Sequence, residues 1–125
     1  MPLREARLKN SEFQIQTEQR AICAQHGAEF VATPNVAVSG FAVSTRGLIP
    51  VNGLRHPAAG ETTGWFIWCG EQFSEAGEFF TPLCTSHIYE DLPEIAKLLG
   101  LPPGYRFLLT GEYLDVWYDE LLLEV

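Results

Sequence analysis

Basic residues are nearly missing from the second half of this 125-residue chain. Residues 61–125 hold only Lys97 and Arg106 against twelve acids, whereas residues 1–60 hold six bases and four acids. The net charge of −8 therefore divides into +2 and −10. Phosphate contacts come from Lys and Arg, so no nucleic-acid partner is expected, and an anionic membrane surface is disfavoured for the same reason. A basic protein or a small cation fits the field better, although acids spread over a surface also serve solubility alone.

Other absences narrow the chemistry. The three cysteines, Cys23, Cys69 and Cys84, are odd in number and never spaced C-x-x-C, which points to free thiols in a reducing compartment. Residues 1–10 lack the apolar stretch of a secretory leader, and no run approaches the ~20 apolar residues of a membrane span. The expected location is the cytoplasm. Cys84-Thr-Ser-His87 has a two-ligand spacing to which Cys69 would add a third ligand, but no second close pair exists, and His26 and His56 fall in expected loops. Zinc needs four convergent ligands, or three and a water, so no metal or other cofactor is expected. There is no G-x-S-x-G, and Gly100-Leu-Pro-Pro-Gly104 has no lysine behind it to serve a phosphate. Ser86 and His87, adjacent on an expected strand, would point to opposite faces. The electronegative stretch around Cys69 would raise its thiol pKa. The acids Glu71, Glu75 and Glu78, or Asp115 and Asp119, are spaced like general acid–base pairs, but residues this frequent reach such spacings by chance. No catalytic residue is expected.

What is present suits one domain. Apolar residues make up 46% of the chain and fifteen are aromatic, enough for a substantial core. Residues 1–10 read as a flexible lead-in to a single domain over residues 11–125. A helix is expected over Ser11–Gln25, capped by Ser11, with an imperfect stripe of Phe13, Ile15, Ala21, Ile22 and Cys23, and ended by Gly27. Strands are expected at Glu29–Ala32, Val36–Thr45 (with a bulge at Gly40) and Leu48–Val51, followed by a loop over 52–63. Gly64–Cys69 is the strongest strand, apolar enough to be buried on both faces. Residues 70–82 would hold one helical turn near Ser74–Gly77, and Leu83–Tyr89 a short strand. Asp91–Leu99 reads as a helix capped by Asp91, with Ile95, Leu98 and Leu99 buried. A hairpin of Tyr105–Leu109 and Tyr113–Tyr118 follows, around Thr110-Gly111-Glu112. The fold class is α+β: a twisted, largely antiparallel sheet with two helices packed on it.

The pattern with most functional content is aromatic–acidic interleaving. Trp65, Trp68, Phe73, Phe79 and Phe80 alternate with Glu71, Glu75 and Glu78; Tyr113, Trp117 and Tyr118 alternate with Glu112, Asp115, Asp119 and Glu120. Interface hot spots favour Trp and Tyr, and acids around them select a basic partner. Trp65, Phe66, Ile67 and Val116 read as core. Tyr113, Asp115 and Trp117 share one strand face, and outward exposure of that face would mark it as a binding surface.

Gly64-Trp65-Phe66-Ile67-Trp68-Cys69-Gly70-Glu71 is similar to a G-W-x-x-x-x-G-E core. Leu92-Pro-Glu-Ile95, Leu98-Leu99 and Pro102-Pro-Gly-Tyr-Arg-Phe107 resemble a P-x-I helix, an L-L pair and a P-x-G-x-x-F turn. Val43-Ser44 and Arg55-His56-Pro57 loosely match a V-S strand and a short basic-proline loop. Over residues 36–109 the chain thus resembles a bacterial domain family, first described as a domain of unknown function and since grouped with polymorphic-toxin immunity proteins. The resemblance implies a non-enzymatic cytosolic protein that binds and inhibits a cognate toxin. It implies no catalytic residues. The resulting expectation is a cognate, basic protein toxin held by Glu71, Glu75, Glu78, Tyr113, Asp115, Trp117 and Asp119. The alternative is a small-ligand binder or enzyme whose pocket is lined by the 65–71 and 113–119 strands.

Overall fold

The most apolar run of the chain takes the middle of a sheet. In the computed structural model, which describes residues 3–74 and 76–124 and side chains from Glu12 onward, six strands form: β1 (Val38–Phe41), β2 (Val51–Arg55), β3 (Thr62–Cys69), β4 (Thr81–Cys84), β5 (Tyr105–Thr110) and β6 (Tyr113–Tyr118). Their order is β4-β1-β3-β2-β5-β6, antiparallel throughout except for β1 beside β3. Helices α1 (Leu3–Gln25) and α2 (Thr85–Asp91) and a 3-10 turn at Pro93–Leu98 complete an α+β domain. No described helix is long and apolar enough to cross a membrane.

Alternation along the strands separates two faces. Phe41, Val51, Trp65, Ile67, Cys69 and Phe107 point toward the helical layer, where Ile22, Ile88, Ile95, Leu98 and Leu99 meet them in the main core. Gly53 lies under the Phe107 ring, which leaves no room for a Cβ. On the opposite face Leu54, Trp68, Phe66 and Ala42 form a smaller cluster, roofed by Phe79 and Phe80 from the 70–80 segment and by Leu122.

Arg55 ties the layers together. It is 2% exposed and has no carboxylate partner among the described residues. Its Nε donates to the Thr63 carbonyl at 2.8 Å, and Nη1 donates to Val31 at 2.9 Å and Leu101 at 2.8 Å. Burial pushes the guanidinium pKa down to about 10, so it remains charged at neutral pH. Trp65, whose ring lies 5.7 Å from Arg55 Cζ, donates through Nε1 to Leu99 O at 3.0 Å.

The expected β5–β6 hairpin and central β3 are present, and Ile95, Leu98 and Leu99 are fully buried. Other expectations are corrected. Helix α1 begins at Leu3 and runs through Ser11, so Ser11 does not cap its start. Its buried face is Gln19, Ile22 and Cys23; Phe13 is 71% exposed and Ala21 exposed. Gln19 enters the stripe because its amide donates to the Ala96 carbonyl at 2.9 Å. Gly27, at φ 61, ends the helix: Ala28 N–H reaches Cys23 O and Gly27 N–H reaches Ala24 O, the Schellman pattern.

Residues 29–32 form no strand, and Val36–Thr45 shortens to β1 with a 3-10 turn at Val43–Thr45. The register slip lies where the Gly40 bulge was expected, but the extra residues belong to β3: Val38 pairs with Thr62 and Gly40 with Phe66. The Leu48–Val51 strand and 52–63 loop are displaced, since β2 begins only after Pro50 and includes Asn52–Arg55. No helical turn is described at 74–77, where Glu75 lies outside the described residues. The expected Leu83–Tyr89 strand becomes the end of β4 and then α2. Thr85 and Ile88, β-branched but three apart, form its buried side. Asp91 closes α2 rather than capping the next helix, because Pro93 drives Leu92 out of helical geometry, to φ −130 and ψ 63. Asp91 instead pairs with Arg46 at 2.6 Å.

Replacing Arg55 by Met leaves the Thr63, Val31 and Leu101 carbonyls without their donors. Urea denaturation should show a loss of about 3–5 kcal/mol at unchanged slope. A loss below about 1 kcal/mol would contradict the clamp.

Candidate functional site: an acidic and aromatic sheet face

Pairing registers carry rows of side chains across the face opposite the helices. Gly40, Phe66, Leu54, Arg106 and Trp117 form one row; Trp68, Asn52, Leu108 and Asp115 form the next. The row from Trp68 to Asp115 spans three inter-strand steps, about 14 Å. At the β3 end, Phe66, Trp68, Phe73, Phe79 and Phe80 stack edge to face or tilted, with centroids 4.9–6.3 Å apart. His56 adds an edge contact to Phe66 at 5.6 Å and bonds through Nδ1 to the Leu122 carbonyl at 2.8 Å, fixing the C-terminal segment on this face. Gly70, at φ 92, turns the chain out of β3 and delivers Glu71 to the surface.

The seven residues expected at the site are placed unequally. Tyr113 and Trp117 are 60% and 37% exposed, Asp115 is also exposed, and all three share the outward face of β6. Glu71 and Glu78 are exposed on the segment that roofs the aromatic cluster. Glu75 lies outside the described residues. Asp119 is engaged within the chain: Oδ2 accepts from Arg106 at 3.2 Å, and Oδ1 accepts the Leu121 N–H at 3.1 Å as the cap of a 3-10 turn. Arg106, its guanidinium 5.6 Å from the Trp117 ring, lies beneath that aromatic. Arg106 and Leu122 were not among the expected site residues; the alternation of β5 against β6 was the signal for the first.

The 65–71 and 113–119 strands do not line a common pocket, because β2 and β5 lie between them. A hollow of about 130 Å³ among Leu54, His56, Phe66, Phe73 and Phe80 stays at the β3 end, well below the ~300 Å³ at which ligand pockets begin. A wider hollow of about 500 Å³ lies elsewhere, against Val31, Ala37, Arg55 and Thr63.

Nor do the thiols gather. Cys84 sits opposite Val38, which also faces Thr62, whereas Cys69 lies seven residues further along β3, about 20 Å away. The described residues contain no His, Cys, Asp and Glu group able to hold a metal. Burial pushes the Cys69 and Cys23 thiols up. For Cys69 burial outweighs the nearby Glu94 charge, so the expected direction holds for a different main reason. Ser86 and His87 lie on α2, with His87 exposed.

The fold is a small α+β domain whose sheet face opposite the helices leaves Tyr113, Asp115 and Trp117 exposed. A family model, the Imm33-like domain, matches residues 18–119. The chain belongs to this immunity-protein family. The match takes in the last two turns of α1 and all of β6, beyond the 36–109 stretch where the motifs lie. No curated protein and no solved structure matches the chain.

The thiol environments predict selective labelling. In native protein a disulfide reagent should titrate Cys84 alone, about one equivalent; Cys23 and Cys69 should react only in denaturant. Rapid native labelling of Cys69 would contradict its burial.

Proposed function

We propose that this chain is a non-enzymatic immunity protein that neutralises a cognate bacterial toxin in the cytoplasm by occlusion. Its acidic and aromatic sheet face docks on a basic active-site cleft and blocks substrate entry. The observation that carries this reading is the outward exposure of Tyr113, Asp115 and Trp117 together on β6. Family membership supports it, and so does the charge of −10 on residues 61–125, where this face arises. Glu71 and Glu78 extend the acidic field to the segment that roofs the aromatic cluster, at the β3 side of the face. Glu75 belongs to the same stretch of sequence and is included in the proposal. Asp119 contributes by holding Arg106 under Trp117. Complementary charge speeds association at low salt and is screened at high salt.

The test takes the product of the neighbouring reading frame as the candidate toxin. Co-expression should protect the host. The double charge reversal Glu71→Lys with Asp115→Lys should weaken binding about tenfold or more, mainly through slower association, with an unchanged unfolding midpoint. Failure to bind or protect against that toxin defeats the immunity reading; full binding by the double variant defeats the acidic face.

A further inference from the structure

The sheet is open, and its two edges are unlike. β4 is four residues long, carries Pro82 and leads directly into α2. Short length and proline are both devices that discourage pairing at an edge. β6 is six residues long and contains neither proline nor lysine. It pairs with β5 at six successive positions without a register shift.

Which main-chain groups of β6 are free follows from the hairpin. Its loop is two residues, Gly111 and Glu112, so Thr110 and Tyr113 form a hydrogen-bonded pair and alternate pairs follow. The Asp119 N–H donates to Gly104 O at 2.6 Å, in the same parity. Tyr113, Asp115, Trp117 and Asp119 therefore direct their N–H and C=O groups toward β5, while Leu114, Val116 and Tyr118 direct theirs away from the sheet. No other described segment pairs with that side.

We propose that β6 accepts an extended basic segment of a protein partner as a seventh strand, bonded to the main chain of Leu114, Val116 and Tyr118. The inference rests on the acidic-face reading and adds the mode of capture. Charge selects the occupant. Lys or Arg on the added strand stands beside Asp115 and against the Tyr113 and Trp117 rings, where ion pairing and cation–π attraction coincide. Its alternate residues fall beside Leu114 and Val116, which favours apolar side chains there. A second copy of this chain is a poor occupant, because antiparallel pairing of two β6 strands brings their acids together.

The probe is an acetylated, amidated Lys–Val hexapeptide added to the labelled full-length protein, read by amide hydrogen exchange. At saturation the Leu114, Val116 and Tyr118 amides should slow about tenfold or more, and the β4 amides should not change. A Glu–Val hexapeptide, or a Lys–Val peptide N-methylated at every residue so that neither edge keeps a donor, should give no protection. Val116→Pro removes an outward N–H without entering the β5 ladder and should abolish protection while β5 amides stay slow. Protection by the N-methylated peptide, or by the Lys–Val peptide on folded Val116→Pro, overturns strand addition. If Asp115→Lys then still weakens the Lys–Val peptide, the acidic face survives that result; if it does not, both readings fail. Slow exchange at these amides in peptide-free protein that sediments as a dimer also overturns the proposal, by giving the edge to a second copy.

Discussion

One buried cation holds the layers of this domain in place. The Arg55 guanidinium leaves water with no carboxylate partner among the described residues and binds carbonyls from the 31–32 segment, the start of β3 and the 99–101 turn. Each carbonyl lies where the chain departs from regular pairing, so each would otherwise be a buried acceptor in search of a donor. Arginine suits the task because its planar fork presents several donors in fixed directions; lysine would supply charge without that geometry. The depressed pKa records the desolvation cost that these bonds offset.

The helical layer is thereby fixed to one face, and the other is left to lighter cover. Among the described residues only the 70–80 segment and the Leu122 turn cross it, joined to the strands by stacked aromatics and the His56–Leu122 bond. Toward β6 the cover ends, and side chains that would be core in a two-layer sandwich meet solvent instead. Asp119 and Arg106 order that end of the sheet, so Trp117 rests on a supported surface.

Much of this frame was legible in the residues. The β5–β6 hairpin declares itself by alternation around Gly111, and β3 by its unbroken apolar run. β2 hid because Asn52, Gly53 and Arg55 are turn-like or charged. Gly53 is required by the Phe107 ring, and Arg55 by carbonyls distant in sequence, neither of which local propensity records. α2 hid behind β-branched residues whose spacing of three, rather than their type, decided the outcome. At the site, alternation placed Tyr113, Asp115 and Trp117 on one face but could not say which face was covered. The engagement of Asp119 with Arg106 depends on strand pairing, which acid spacing alone does not reveal.

If the acidic, aromatic face is where the partner docks, its carboxylates are covered in the complex. Carbodiimide labelling of carboxylates, read by mass spectrometry with and without bound toxin, tests it most directly. Glu71, Glu78 and Asp115 should lose reactivity in the complex, while Glu29 and Glu90, exposed outside that face, should keep theirs. Protection confined to Glu29 and Glu90, with Asp115 still fully reactive, would contradict it.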